Sequence, residues 1–266
     1  MKTIILTGRC LNNILRRDPS MTKRILSLLT AVLLLLLPLS VAGADGPSYW
    51  DPQSQSYLYS GACYGIVICT KMNVRDRAST SGKTLGSISN GQPVKVVGTS
   101  QDGNFYLVNL ASCGIATTDP DAYGYAKSSL IKLDPEFIGT RKLVNLYATP
   151  WSTELKNGEQ TNRFFLVLDR NNGWYAVQAQ ERGVGTAFIR SNDIGQYSGY
   201  SSMYVVTWDA QLLDEASWSP VRTVKRFSVG SLFNVSGDYS LLVFEEGTAN
   251  EYRGWINTQY IAPIVN

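Results

Sequence analysis

The chain has 266 residues, with 24 basic and 21 acidic side chains, a formal net charge of +3 and no histidine. That length allows one to three domains. Without an imidazole base, neither a Ser-His nor a Cys-His hydrolase centre can be assembled.

The first stretch reads as an export signal rather than as part of the fold. Lys23 and Arg24 form a basic flank, and an apolar run of thirteen residues follows from Ile25 to Leu37. A helix crossing a bilayer needs about 20 apolar residues, so the run is short for a span. Ala42-Gly43-Ala44 has the small-residue form of a signal-peptidase site, which places cleavage before Asp45. Residues 1–44 are therefore expected to be a signal peptide, and the protein to be secreted or held at the cell surface. A start at Met21 would give a signal of ordinary length, leaving residues 1–20 as a mis-called start. The only membrane contact expected is through this segment before cleavage.

Six basic residues (Lys2, Arg9, Arg16, Arg17, Lys23 and Arg24) and one acidic residue (Asp18) precede Asp45, which leaves 18 basic and 20 acidic residues, a net charge near −2. The positive balance belongs to the presequence. No cluster of Lys and Arg remains to displace counterions, so nucleic acid is not an expected partner.

Residues 45–61 are rich in Ser, Tyr, Pro and Gly and read as a tether. Cys63, Cys69 and Cys113 follow it. In an oxidising compartment one disulfide is plausible, with Cys63–Cys113 the favoured pair and Cys69 buried in the "GIVICT" strand. Three reduced cysteines are the alternative. No Cys-x-x-Cys or His spacing suggests a zinc site, and no metal or cofactor is expected.

Beyond the tether, short runs of β-branched and aromatic residues alternate with Gly, Asn, Asp and Ser. Examples are "GQPVKVVG", "NFYLVNL", "RFFLVLD", "WYAVQAQ" and "SLLVFEE". No long amphipathic helix is visible, so the expected class is all-β, as small barrels or sandwiches.

One short signal occurs three times: "MNVRDRAST" from Met72, "VNLYATPWS" from Val144 and "AQLLDEASW" from Ala210. Counted from Asn73, Asn145 and Gln211, the copies lie 72 and 66 residues apart. Closing segments recur as well, each with an aromatic (Tyr125, Phe188, Trp255), an apolar residue (Ala126, Ile189, Ile256), a polar turn and an aliphatic (Ile131, Ile194, Ile261). Their aromatics are 63 and 67 residues apart. Agreement at both ends of a unit indicates an array of small domains.

At these residues the chain resembles the bacterial SH3-like (SH3b) domain family. The first copy carries "MNVRDRASTSGKTLGSISNGQPVKVVG", "GNFYLVNL" and "GYAKSSLI". The second carries "VNLYAT", "NNGWYAVQ" and "TAFIRSNDI", and the third "QLLDEAS", "SVGSLFNVSG" and "GWINTQYI". The second has Tyr147 where the first has Arg75, and the third lacks the Gly-Trp-Tyr element. The resemblance implies three tandem five-stranded SH3-like barrels, at residues 62–134, 138–197 and 202–266. Val74, Val94, Val96, Val108 and Ile131 would fill the first core. With short linkers between them ("KLDPEFIGTRK" and "IGQYSGYSSM"), the units would touch only their neighbours in sequence.

The resemblance further implies non-catalytic binding, to peptidoglycan peptide or glycan or to a surface protein. An extracellular protein–protein scaffold is the alternative. Asp214-Glu215 and Glu245-Glu246 are adjacent on strands and so point to opposite faces, which does not suit a pair flanking a glycosidic bond. Aromatics are the better lead, because flat rings stack on sugars and peptides with little entropy to lose. Trp174, Tyr106, Tyr125 and Trp255, with Tyr175 and Phe188 at related positions, and Arg75 with Asp76 are the candidate binding residues. Burial in a barrel core is the competing place for each aromatic, and a surface ion pair the competing role for Arg75 and Asp76. Trp174 is the strongest exception, since Tyr175 beside it must face the other way.

Overall fold

The computed structural model describes residues 48–140, 144–153, 155–160, 163–179, 185–194 and 203–265. The expected signal peptide lies outside them. The described residues are all-β apart from three single 3-10 turns, and none of them forms a helix long and apolar enough to cross a membrane.

Three antiparallel sheets follow one another along the chain. The first holds β1 (Ser48–Asp51), β2 (Ser56–Val67), β3 (Lys71–Arg75), β4 (Thr84–Ser89), β5 (Pro93–Ser100), β6 (Phe105–Asn109), β7 (Tyr123–Lys127) and β8 (Ile131–Leu133). The second holds β9 (Phe137–Thr140), β10 (Val144–Tyr147), β11 (Leu155–Gln160), β12 (Arg163–Asn171), β13 (Trp174–Ala179) and β14 (Thr186–Arg190). The third holds β15 (Met203–Val206), β16 (Ala210–Leu213), β17 (Pro220–Val224), β18 (Val229–Ser236), β19 (Tyr239–Phe244), β20 (Tyr252–Asn257) and β21 (Ile261–Pro263).

Their strand orders are the same. β4-β3-β7-β6-β5-β2 corresponds to β11-β10-β14-β13-β12-β9 and to β17-β16-β20-β19-β18-β15. Bulges recur at matching places, between Val96 and Gly98, Val167 and Asp169, and Leu232 and Asn234. A bulge bends a strand and increases its twist, and three matched bulges curl the sheets alike. The common set has six strands rather than five, because the loop after the opening strand itself pairs as β4, β11 or β17.

Alternation along the closing strands explains each core. Tyr125, Phe188 and Trp255 sit across from Arg75, Tyr147 and Leu213. The next residue points the opposite way, into the interior, and Ala126, Ile189 and Ile256 are fully buried there. Val74, Val94, Val96, Val108 and Ile131 all lie in the first core. Leu146, Val167 and Val177 hold the second, and Leu212, Leu242 and Phe244 the third. Each such side chain stabilises the fold by roughly 1.5–3 kcal/mol on burial.

Four expectations need correction. The stretch read as a tether forms β1 and the start of β2 from Ser48 onward, because Tyr49 and Trp50 pair with Leu58 and Tyr57 across an antiparallel hairpin. Cys63 and Cys113 are thiols rather than a disulfide, both packed in the first core, where burial pushes the Cys113 thiol up to about 11. Cys69 lies past the end of β2 and is half-buried. The first expected linker contains β9, buried along its whole length.

The units also touch more than their neighbours. Ile66, Phe137, Leu166, Val205 and Ala262 form one apolar cluster drawn from all three sheets. First and third sheets meet directly. Asp238 accepts a hydrogen bond from the Tyr64 hydroxyl at 2.8 Å and pairs with the Lys95 ammonium at 2.6 Å. The described residues form one compact unit.

Candidate functional site

Matched register gives each sheet an aromatic floor on the face turned away from its core. In the first sheet Phe105, Leu107 and Tyr125 form it. Phe105 corresponds to Trp174 and Tyr239, the first residues of β13 and β19. Tyr125 corresponds to Phe188 and Trp255.

An open cleft of about 610 Å³ lies over the first floor. Its walls are residues 53–55 of the β1–β2 turn, 76–79 of the loop after β3 and 100–102 of the β5–β6 turn, with Tyr125 between them. The Tyr125 hydroxyl donates to the Ser54 carbonyl at 2.9 Å and lies 3.4 Å from the Ser56 hydroxyl. The added hairpin is thereby fastened to the floor, and Leu58 packs on the same cluster. Gly98 makes its crossing possible, because a Cβ there would run into the Tyr57 carbonyl oxygen. At the register-equivalent positions of the other sheets stand Asp169 and Asn234.

Charges in the cleft are fixed by local hydrogen bonds. The Ser100 hydroxyl, with Asn104, holds the Asp102 carboxyl below the usual carboxylate range. Asp51 is lowered in the same way, by the Ser54 hydroxyl first. Arg75 and Asp76 do not pair with each other. The Arg75 guanidinium donates to the Gly82 carbonyl at 2.6 Å, and Asp76 accepts from the Lys83 backbone N–H at 2.9 Å. Both shape the loop, and Asp76 also lines the cleft. Arg77 stands at the wall with its guanidinium 3.3 Å from the Ser81 carbonyl. Among the described residues no cluster of three or more metal-ligating side chains occurs. What the cleft offers is hydrogen-bonding groups and mixed charge around an aromatic, which suits an extended polar ligand.

None of the three floor aromatics proposed from the sequence is an open platform. Tyr125 is 6% exposed, Trp174 5% and Trp255 8%. Tyr106 faces inward with Ala126 and packs on the first core, where burial raises its hydroxyl pKa. Tyr175 lies in the second core. Trp174 does face away from Tyr175, as alternation requires, but it is covered. Tyr147 meets it edge-on at 5.2 Å, Trp151 meets it at 5.8 Å, and the Arg190 guanidinium lies over it at 5.3 Å. Trp255 is covered by Trp218, stacked at 5.2 Å with an interplanar angle of 8°.

Trp151 and Trp218 are the residues that the sequence reading passed over. They are 72% and 45% exposed. Both have left-handed backbone, with φ of 65° and 57°. For a bulky side chain that conformation costs roughly 1–3 kcal/mol. The signal was present, since Trp151 is the eighth residue of the second copy of the repeated nonapeptide and Trp218 the ninth of the third, where the first copy has Ser79 and Thr80.

Comparison with known proteins places the first sheet. Residues 70–132 match the bacterial SH3 domain family. The second and third sheets share its strand order but lie outside the match. No curated protein matches the chain. Among solved structures the chain is similar to NlpC2 from Trichomonas vaginalis, at 10% identity over 78% of this chain and 97% of that one. It is also similar to NlpC1 from the same organism, at 12% identity over 82% and 100%. Both have a TM-score of 0.22, too low to carry an argument about fold or activity.

Proposed function

We propose that this is an exported, non-catalytic binding protein of the bacterial cell envelope that recognises peptidoglycan through its peptide or glycan. One observation carries the reading: apart from the turn at 53–55, the polar cleft over Tyr125 is lined by residues of the segment that matches the bacterial SH3 domain family. A ligand strand can lie in it with its polar groups paired to Arg77, Asp76 and the glutamines of the two turns. The lack of histidine agrees with a role by contact alone.

The test is co-sedimentation of the purified protein with purified, protein-free cell wall. Retention at low salt is expected. Arg77→Ala should weaken it about tenfold, since a hydrogen bond to a charged group contributes about 1.5–3 kcal/mol. No retention of the folded protein would reject the proposal. Retention by envelope protein extract alone would select a protein–protein scaffold instead.

A further inference from the structure

We infer that Trp151 and Trp218 are two sugar-stacking sites, one on the second sheet and one on the third, that take uncharged pyranose rings of a glycan. The inference rests on the envelope-binding reading and assigns it a ligand class at two places outside the cleft.

The two tryptophans hold equivalent positions. Trp151 follows β10 and Trp218 follows β16, each in the turn that leads to the next strand. Each meets the first residue of the neighbouring hairpin edge-on: Trp151 on Trp174 at 69°, Trp218 on Tyr239 at 88°. Trp218 also stacks on Trp255, so a buried aromatic, Trp174 or Trp255, holds each indole while much of its surface stays in water. Such a ring presents apolar area with its conformational freedom already spent.

Their backbone conformation sharpens the point. Glycine would adopt these φ values without strain, yet a bulky aromatic stands at both. The first sheet closes the corresponding loop with ordinary backbone and no tryptophan, using the Arg75 guanidinium on Gly82. Closing the loop thus requires neither the indole nor the strain; each indole covers a floor residue with part of its surface and keeps the rest in water, where a surface role accounts for it.

The surroundings select the ligand. Each indole offers one flat apolar area beside a polar turn, and a pyranose offers a matching face of C–H groups with a rim of hydroxyls. A cationic ligand is disfavoured at the second sheet, because Arg190 already occupies the seat over Tyr147 and Trp174, at 4.8 and 5.3 Å. Two such platforms on one compact unit suit a polymer, where the second contact gains from effective concentration.

The probes are the β-1,4-linked hexasaccharide of N-acetylglucosamine and glycan strands stripped of peptide. The intact protein should change its indole emission with the hexasaccharide and be retained on the stripped strands. Trp151→Ala and Trp218→Ala should each weaken retention about tenfold, and the double variant more than either. Phe at either position should restore most of the loss. Trp151→Gly separates ligand from fold: its melting temperature should hold or rise while binding falls. An unchanged double Ala variant would overturn the inference, as would failure of the intact protein to bind both probes. Retention on whole wall without binding to stripped glycan would sink the stacking sites and leave the envelope reading standing. Hexasaccharide binding without retention on whole wall would do the reverse.

Discussion

In the first sheet, Phe105, Leu107 and Tyr125 are covered by a hairpin that the other sheets lack; in the second and third, Trp174 and Trp255 are each covered by one exposed tryptophan. Beneath the covers the strand order and the bulges are the same. The difference shows that the barrel-like frame fixes where an aromatic floor lies, and that the loop above it decides what surface results. A hairpin leaves walls and a polar cleft. A single indole leaves a flat platform. Gly98 marks the choice in one atom, since a Cβ there would meet the Tyr57 carbonyl oxygen of the crossing segment.

The largest expected effect comes from removing the floor itself. Trp255→Ala and Trp174→Ala should each cost about 3–5 kcal/mol, the usual range for deleting a buried indole. Urea denaturation checks this. If the floor carries the platforms, both variants should also lose the emission change with the hexasaccharide. A loss below about 1 kcal/mol would mean that the covering tryptophans collapse into the space, and the likeness between these two sheets would then be one of shape only.

A smaller effect tests the hairpin. Gly98→Asp gives the first sheet the residue that the second has at that position. The new side chain collides with the Tyr57 carbonyl and Leu58. Overpacking of this kind costs about 1–3 kcal/mol. Amide exchange in residues 48–58 should quicken while the strands of the first core stay protected, and retention on cell wall should fall. Unchanged exchange in the hairpin would show that its seat does not depend on the glycine, and the contrast between the two kinds of cover would lose its cause.

Much of this frame was legible in the chain. Asn73, Asn145 and Gln211 are true equivalents in the observed pairing, as are Tyr125, Phe188 and Trp255, because alternation and turn chemistry are local and leave a period in the sequence. The site was less legible. Trp174 and Trp255 carry the same letters whether open or covered, and their cover comes from a loop of the same unit whose path no periodicity reveals. Residues 48–61 have the Ser, Tyr, Pro and Gly of a linker, yet they gain a fold from Tyr125 and Gly98, far along the chain. The shared cluster of Ile66, Phe137, Leu166, Val205 and Ala262 was hidden for the same reason, since each is an ordinary strand residue until another sheet packs on it.

The cleft and the third-sheet platform are joined through Asp238, which precedes Tyr239, the seat of Trp218. The Lys95 ammonium, and then the Tyr64 hydroxyl, hold its carboxyl below the usual range against the opposing effect of burial. Burial and the neighbouring carboxylate push the Tyr64 hydroxyl up, so it keeps its proton and donates at any ordinary pH. A lowered carboxyl pKa stabilises the fold fully above the unfolded value near 3.9, and the contribution is lost as pH falls through the lower folded value. Asp238 and Lys95 are partly exposed, so solvent screens the pair and its worth stays near the low end of ion pairs. With the hydrogen bond from Tyr64, Asp238→Asn should cost about 1 kcal/mol at neutral pH, or roughly 2–4 °C in melting temperature. As pH falls through that lowered value, the variant and the parent should converge. Equal melting temperatures at pH 7 would mean that the apolar cluster alone sets the cleft against the platform, and the two sites would then keep their spacing in acid.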